Sequence, residues 1–199
     1  MERGLNSIFP LPIFLDQAEG TEYQSIQKEL TDVRSKLIFN DTGINMILSE
    51  NPFESNFLLS YQCNHTLNFI NKNIESYITS LYGESKIKWK VIESWMTKTL
   101  TGRSAREHSH KAMDISGVYY LDTNGKDGSL VMNNVHPHLL SNALLSGIYD
   151  GDLQLPLENG IIMLWPGQLR HRTQVNETQH ERISISFNVI LEREGMTLN

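Results

Sequence analysis

The sequence is short of cysteine, short of positive charge, and without a long apolar run. Its only cysteine is Cys63, which rules out an internal disulfide framework and suits a reducing compartment. Lys and Arg number 17 against 23 Asp and Glu, a net charge of -6 at pH 7. That balance argues against a partner held through its phosphates, whether nucleic acid or an anionic membrane surface. The apolar stretch near the start, IFPLPIFL, is short and broken by Pro10 and Pro12, so it reads neither as a secretory leader nor as a membrane span. There is no internal repeat and no low-complexity tract. Asn-x-Thr triplets at Asn40, Asn64 and Asn176 read as chance in an Asn-rich chain. The expectation is a soluble, cytoplasmic protein of 199 residues forming a single domain.

What is present falls into two regimes. From about Thr21 to Leu48 the text looks helical, with Tyr23, Ile26, Leu30, Val33 and Leu37 spaced at threes and fours. A second such segment carries Leu67, Ile70, Ile74, Tyr77, Ile78 and Leu81 on one stripe and ends at Gly83, a plausible cap. After Lys86 the period becomes two. IKWKVIESWMTKTL, ISGVYYLD, GSLVMNN, NGIIMLWPG, RHRTQV and ERISISFNVILE read as strands separated by turn material such as DTNGKDG and PLENG. Trp89 and Trp95 read as core. The chain is therefore expected to be mainly β, with a helical N-terminal layer over 1–85 on a sandwich or barrel over 86–199.

The segment REHSHKAMDISGVYYLD sets His108 and His110 one residue apart before an apolar strand. In extended chain, residues i and i+2 point the same way, so two imidazoles aim at one place. A metal site needs a third ligand from a distant strand. His171, which follows the Trp165-Pro166-Gly167 turn, is the candidate. Three protein ligands on one side leave the other side open, as catalytic metal sites require. A second pair, His136 and His138, brackets Pro137 and has no strand after it, so it reads as a loop near the mouth of the site. His65, at the start of a helix, reads as structural.

Arg182 opens the last strand, where Arg182, Ser184 and Ser186 alternate with Ile183, Ile185 and Phe187. An inward guanidinium costs several kcal/mol, roughly, unless it meets an anion. Its planar fork suits a carboxylate, held by both oxygens. A metal next to a carboxylate anchor calls for a ligand with an acid at one end and a chelating group at the other. The competing reading for Arg182 is an ion pair with Glu181 or Glu192. Lys111, Arg170 and Arg172 read as charges on the rim.

Three blocks, IFPLPIF, HSHKAMDISGVYYL and LWPGQLRHRTQVNETQHERISISFNV, resemble the Fe(II)- and 2-oxoglutarate-dependent oxygenases, of the small stand-alone kind. The resemblance implies a double-stranded β-helix (jelly-roll, cupin-like) core with Fe(II) at one mouth and 2-oxoglutarate as cosubstrate. It places His108 at the first ligand position, His110 where the wider superfamily has Asp or Glu, and His171 at the distal position. Arg182 would pair with the 5-carboxylate of 2-oxoglutarate, with Ser184 beside it and Tyr120 reaching the same group. Asp114 stays open as the second ligand in place of His110, as does a register with His110 first and Ala112 second. The implied activity is a dioxygenase that uses molecular oxygen to hydroxylate an amino-acid, peptidyl or small-metabolite substrate. A homodimer is left open. The alternatives are a three-histidine cupin-like dioxygenase that does not use 2-oxoglutarate and a non-catalytic binding protein on the same fold.

Overall fold

The computed structural model describes residues 11–41, 45–49, 56–83, 86–135 and 151–192. Helix α1, Gly20–Arg34, buries Ile26, Leu30 and Val33. The helical pattern was expected to continue to about Leu48. Instead, strands Phe39–Asp41 and Ile47–Ser49 follow, labelled β2 and β3. The polar Asn40–Gly43 text and the period-two spacing of Met46 and Leu48 outweigh the helix there. A one-turn helix α2, Phe57–Ser60, is capped by Asn56, whose side chain accepts from the Leu59 N–H. Helix α3, Asn64–Tyr82, buries Phe69, Ile70, Ile74, Tyr77 and Ile78 and ends at Gly83, which adopts φ 69°. Glu29 of α1 caps its other end, accepting from the backbone N–H of His65 at 3.0 Å and of Thr66 at 2.8 Å.

The remaining strands are β1, Phe14–Gln17; β4, Lys88–Thr99; β5, Ile115–Asp122; β6, Leu130–Met132; β7, Leu153–Gln154; β8, Ile161–Pro166; β9, His171–Thr173; and β10, Arg182–Glu192. They form a seven-stranded antiparallel sheet in the order β1-β8-β5-β10-β4-β3-β2 and a three-stranded sheet β7-β6-β9. The expected mainly-β architecture is present, but 1–85 is not purely helical, since β1, β2 and β3 extend the edges of the large sheet. Among the described residues, no helix is long and apolar enough to cross a membrane.

Alternation along the central strands divides the core. On β10, Ile183, Ile185, Phe187 and Val189 join Tyr119 and Leu121 of β5 and the buried faces of α1 and α3 in one apolar cluster. Val118, Tyr120, Met163 and Trp165 face the small sheet and pack with Leu130 and Met132. Every second residue of β5 and β10 therefore points into the space between the sheets. Gly117 lies opposite Phe187, and a Cβ there would fall 2.3 Å from the Phe187 ring and 2.8 Å from Leu164. Gly117→Ala should destabilise the fold by about 1–3 kcal/mol through overpacking, read as a lower midpoint in urea.

One irregularity re-aims a strand. The β10–β4 register shifts between Asn188 and Val189, so Val189 faces Val91 while Asn188 faces Glu93. The extra residue flips the parity of β4. Val91 joins the helix-side cluster, whereas Glu93 and Trp95 turn to the opposite face and line the cavity between the sheets. Trp95 is thus a wall of that cavity and not part of the main core.

Candidate metal centre and anion pocket

Backbone pairing brings the histidines together from distant parts of the chain. His108 and His171 exchange both N–H···O bonds at 2.9 Å, a two-residue bridge joining the segment before β5 to the start of β9. His110 is pinned by its N–H to the Gly167 carbonyl at 2.7 Å. A side chain at 167 would lie 2.4 Å from the Met113 carbonyl oxygen and 2.8 Å from that of His110, so only glycine lets this turn close on the loop. The ring centroids are 5.1 Å apart for His108 and His110, 4.4 Å for His108 and His171, and 5.3 Å for His110 and His171. One ring nitrogen from each lies within 4.8 Å of the others.

His108 and His171 rest Nδ1 on the carbonyls of Arg106 and Leu169, at 2.7 and 2.9 Å. With Nδ1–H donating, each Nε2 keeps its lone pair, which is the tautomer a metal needs. Trp95 stacks on His110 at 5.8 Å, and Trp165 meets His171 edge-on at 5.0 Å. Burial, reinforced by the charge of His108, pushes His110 down to about 4 and His171 down to about 3 from an ordinary value of 6.5. Both are therefore neutral and able to ligate at pH 7. Below pH 6.5 the unfolded chain takes up protons that the folded chain refuses. The metal-free protein should thus lose stability as pH falls from about 6.5 toward 4; melting it at pH 7 and at pH 5 checks this.

Asp114, the alternative ligand, is not in this cluster. Its carboxylate accepts from the Leu191 N–H at 2.8 Å, near the end of β10. Ala112 lines the cavity but offers no ligand atom. His65 serves the start of α3 through its backbone N–H. His136 and His138 lie outside the described residues. His180, which the sequence did not single out, contacts Asp127 at 2.8 Å and Asp122 at 3.2 Å. Burial pushes the Cys63 thiol up to about 12, so it is no nucleophile.

Arg182 is 1% exposed. Its guanidinium donates to the carbonyl of Asp127 at 3.0 Å, to that of Gly128, and to Thr99 Oγ1 at 3.1 Å. It lies 5.8 Å from the centre of the Tyr120 ring. Among the described residues no carboxylate pairs with it, and its Nε has no partner. Glu181, the suspected counter-ion, pairs with Arg34 of α1. Arg182, Ser184 and Tyr120 line one cavity of about 500 Å³ together with the three histidines. Tyr119 points the other way, against Phe69. On the rim, Arg170 and Arg172 pair with Glu107 and Asp152.

The arrangement offers three imidazole nitrogens at one place and, elsewhere in the same cavity, a buried cation with no counter-ion among the described residues. Sequence reasoning passed over Glu93, Ser116 and Asn188, which also line it. Asn188 was legible as a polar residue in phase with Arg182 and Ser184, but Glu93 was hidden by the bulge.

Residues 93–188 match a family model described as "Putative 2OG-Fe(II) oxygenase". The fold resembles the alpha-ketoglutarate-dependent epimerase SnoN of nogalamycin biosynthesis, with TM-score 0.63 and 13% identity over 90% of this chain and 78% of that one. It resembles HygX of Streptomyces hygroscopicus, solved with nickel, 2-oxoglutarate and hygromycin B, with TM-score 0.60 and 12% identity over 90% and 82%. It also resembles a Pseudomonas putida prolyl-4-hydroxylase, with TM-score 0.58 and 12% identity over 90% and 92%. No curated protein matches the chain by sequence. The two facing sheets are those of a double-stranded β-helix.

Proposed function

We propose that the chain is an Fe(II)- and 2-oxoglutarate-dependent dioxygenase, a reading supported by the match of residues 93–188 to the model of putative 2OG-Fe(II) oxygenases. The observation that carries the reading is Arg182, a buried guanidinium with no counter-ion among the described residues, facing the cavity that the three imidazoles share. A buried cation of this kind is retained at a cost in stability unless an anion joins it. A dianionic 2-oxo acid supplies one carboxylate for the fork and a chelating end for a metal.

The residues present fit both groups. His108, His110 and His171 would hold the metal, with Nε2 of His108 and of His171 left free because their Nδ1–H groups donate to backbone carbonyls. Arg182 would take the far carboxylate of 2-oxoglutarate, with Ser184 and the Tyr120 hydroxyl beside it. The bound metal and cosubstrate would supply the oxidising chemistry, consuming molecular oxygen and releasing succinate and CO2. The protein's part is to orient the cosubstrate and to exclude water with Trp95, Trp165, Val118 and Leu130. About 500 Å³ accommodates 2-oxoglutarate beside a small metabolite or one amino-acid side chain. Hydroxylation of such a substrate is the outcome we assign.

Anaerobic protein mixed with Fe(II) and then 2-oxoglutarate should develop the weak visible charge-transfer band of a chelated 2-oxo acid. Iron bound without a band would favour the three-histidine dioxygenase, which His110 in place of a carboxylate also suits. No iron bound at all would leave a binding protein.

A further inference from the structure

Arg182 is held by main-chain carbonyls, although one of them belongs to an aspartate. Its guanidinium donates to the Asp127 carbonyl at 3.0 Å, yet the carboxylate of that same residue, itself 0% exposed, is turned elsewhere. It is claimed three ways. It accepts from Thr123 Oγ1 at 2.5 Å, from the Asn124 N–H at 2.9 Å and from the His180 ring at 2.8 Å. An ionised carboxylate only accepts, so Nδ1 of His180 is the donor. The ring is fixed on its other side by Asp122, 3.2 Å from Nε2. Its backbone is fixed too. The His180 carbonyl accepts at 2.6 Å from Asn176 Nδ2, which also donates to the Thr99 carbonyl at 2.9 Å. Of the three donors to Asp127, only His180 lies outside the 123–128 turn, and it stands two residues before Arg182.

We propose that His180 is a positioning residue for the carboxylate anchor, drawing the Asp127 side chain away from Arg182 and so keeping the guanidinium open to an anion from outside the chain. A rotamer change at Asp127 turns its carboxylate toward the cation that its own carbonyl already touches. A buried guanidinium gains most from whichever anion reaches it, and an internal carboxylate would compete with every external one. His180 decides that competition by giving Asp127 a strong hydrogen bond elsewhere. The imidazole is thus placed to keep one negative charge out of the pocket that another must enter.

The proposal rests on the reading that Arg182 takes the far carboxylate of 2-oxoglutarate, and its test separates the two. The full-length chain loaded with Ni(II) is titrated calorimetrically with 2-oxoglutarate. His180→Ala should weaken binding roughly tenfold or more, the scale of one hydrogen bond to a charged group. His180→Asn, whose Nδ2 can replace the ring's Nδ1 as donor, should keep most of the affinity. In His180→Ala combined with Asp127→Asn most of the loss should be recovered, because an amide brings no charge to compete. Mere structural damage would instead add up across the two substitutions. A crystal structure of His180→Ala should show the Asp127 carboxylate turned onto the guanidinium. Wild type that binds no 2-oxoglutarate sinks the anchor reading, and this proposal with it. Wild type that binds, with His180→Ala within about twofold of it, overturns the proposal alone. So does a double variant that binds no more tightly than His180→Ala.

Discussion

Replacing His171 with alanine should abolish metal binding and, with it, succinate release. His171 is the most enclosed of the three imidazoles at 4% exposed, with its ring fixed between the Leu169 carbonyl and the edge of Trp165. Its loss leaves two ligands, of which His108 is exposed to solvent. Removing a ligand outright must exceed the roughly 10- to 100-fold that losing a ligand's hydrogen-bonding partner costs. Equilibrium dialysis against Fe(II) or Ni(II) reads the affinity, and succinate release reads the turnover. The fold should survive, because the His108–His171 bridge is made by backbone atoms; circular dichroism of the metal-free variant checks that. Wild-type affinity in His171→Ala would remove this residue from the ligand set.

Arg182→Ala should produce the second large effect, on the proposed cosubstrate. Truncating one partner of a buried, hydrogen-bonded charge pair costs about 2–5 kcal/mol, roughly 30-fold to several-thousand-fold in the affinity for 2-oxoglutarate. Arg182→Lys should recover only part of this, because an ammonium keeps the charge and loses the fork. Metal affinity without 2-oxoglutarate should stay near wild type, since the contacts of Arg182 run to Asp127, Gly128, Thr99 and Tyr120 and to none of the histidines. Stability is pulled both ways. The variant loses donors to two buried carbonyls and also sheds an uncompensated buried cation. Unchanged affinity for 2-oxoglutarate in Arg182→Ala would dissociate this residue from cosubstrate binding.

The geometry of this pocket was partly legible in the sequence. His-x-His and an Arg-x-Ser-x-Ser strand are patterns at fixed local spacing, and period two projects each set onto one face. Choosing between His110 and Asp114 was not possible at that level, because the Asp114 carboxylate is committed to the backbone of Leu191, far along the chain. Strands β1, β2 and β3 were missed for a related reason. They are short edge strands with little alternation, stabilised by their neighbours rather than by their own text. The placement of Trp95 and Glu93 was hidden most completely. One inserted residue in β4 reverses the face of everything after it, and a bulge is defined by two strands together, so neither sequence shows it alone.

The place of β10 in the large sheet bears on how the chain reaches this fold. It is the last of the described strands, yet it sits at the middle, between β5 and β4. Both neighbours are synthesised well before their shared partner and until then present unpaired edges, the feature most prone to adventitious pairing. Contacts between segments so far apart in the chain also slow folding, because loop closure must come before any reward. Docking of one strand should therefore limit the rate of folding. During translation the β4 and β5 edges that β10 will fill should stay unpaired until residues 182–192 leave the ribosome, the stage at which aggregation is most favoured.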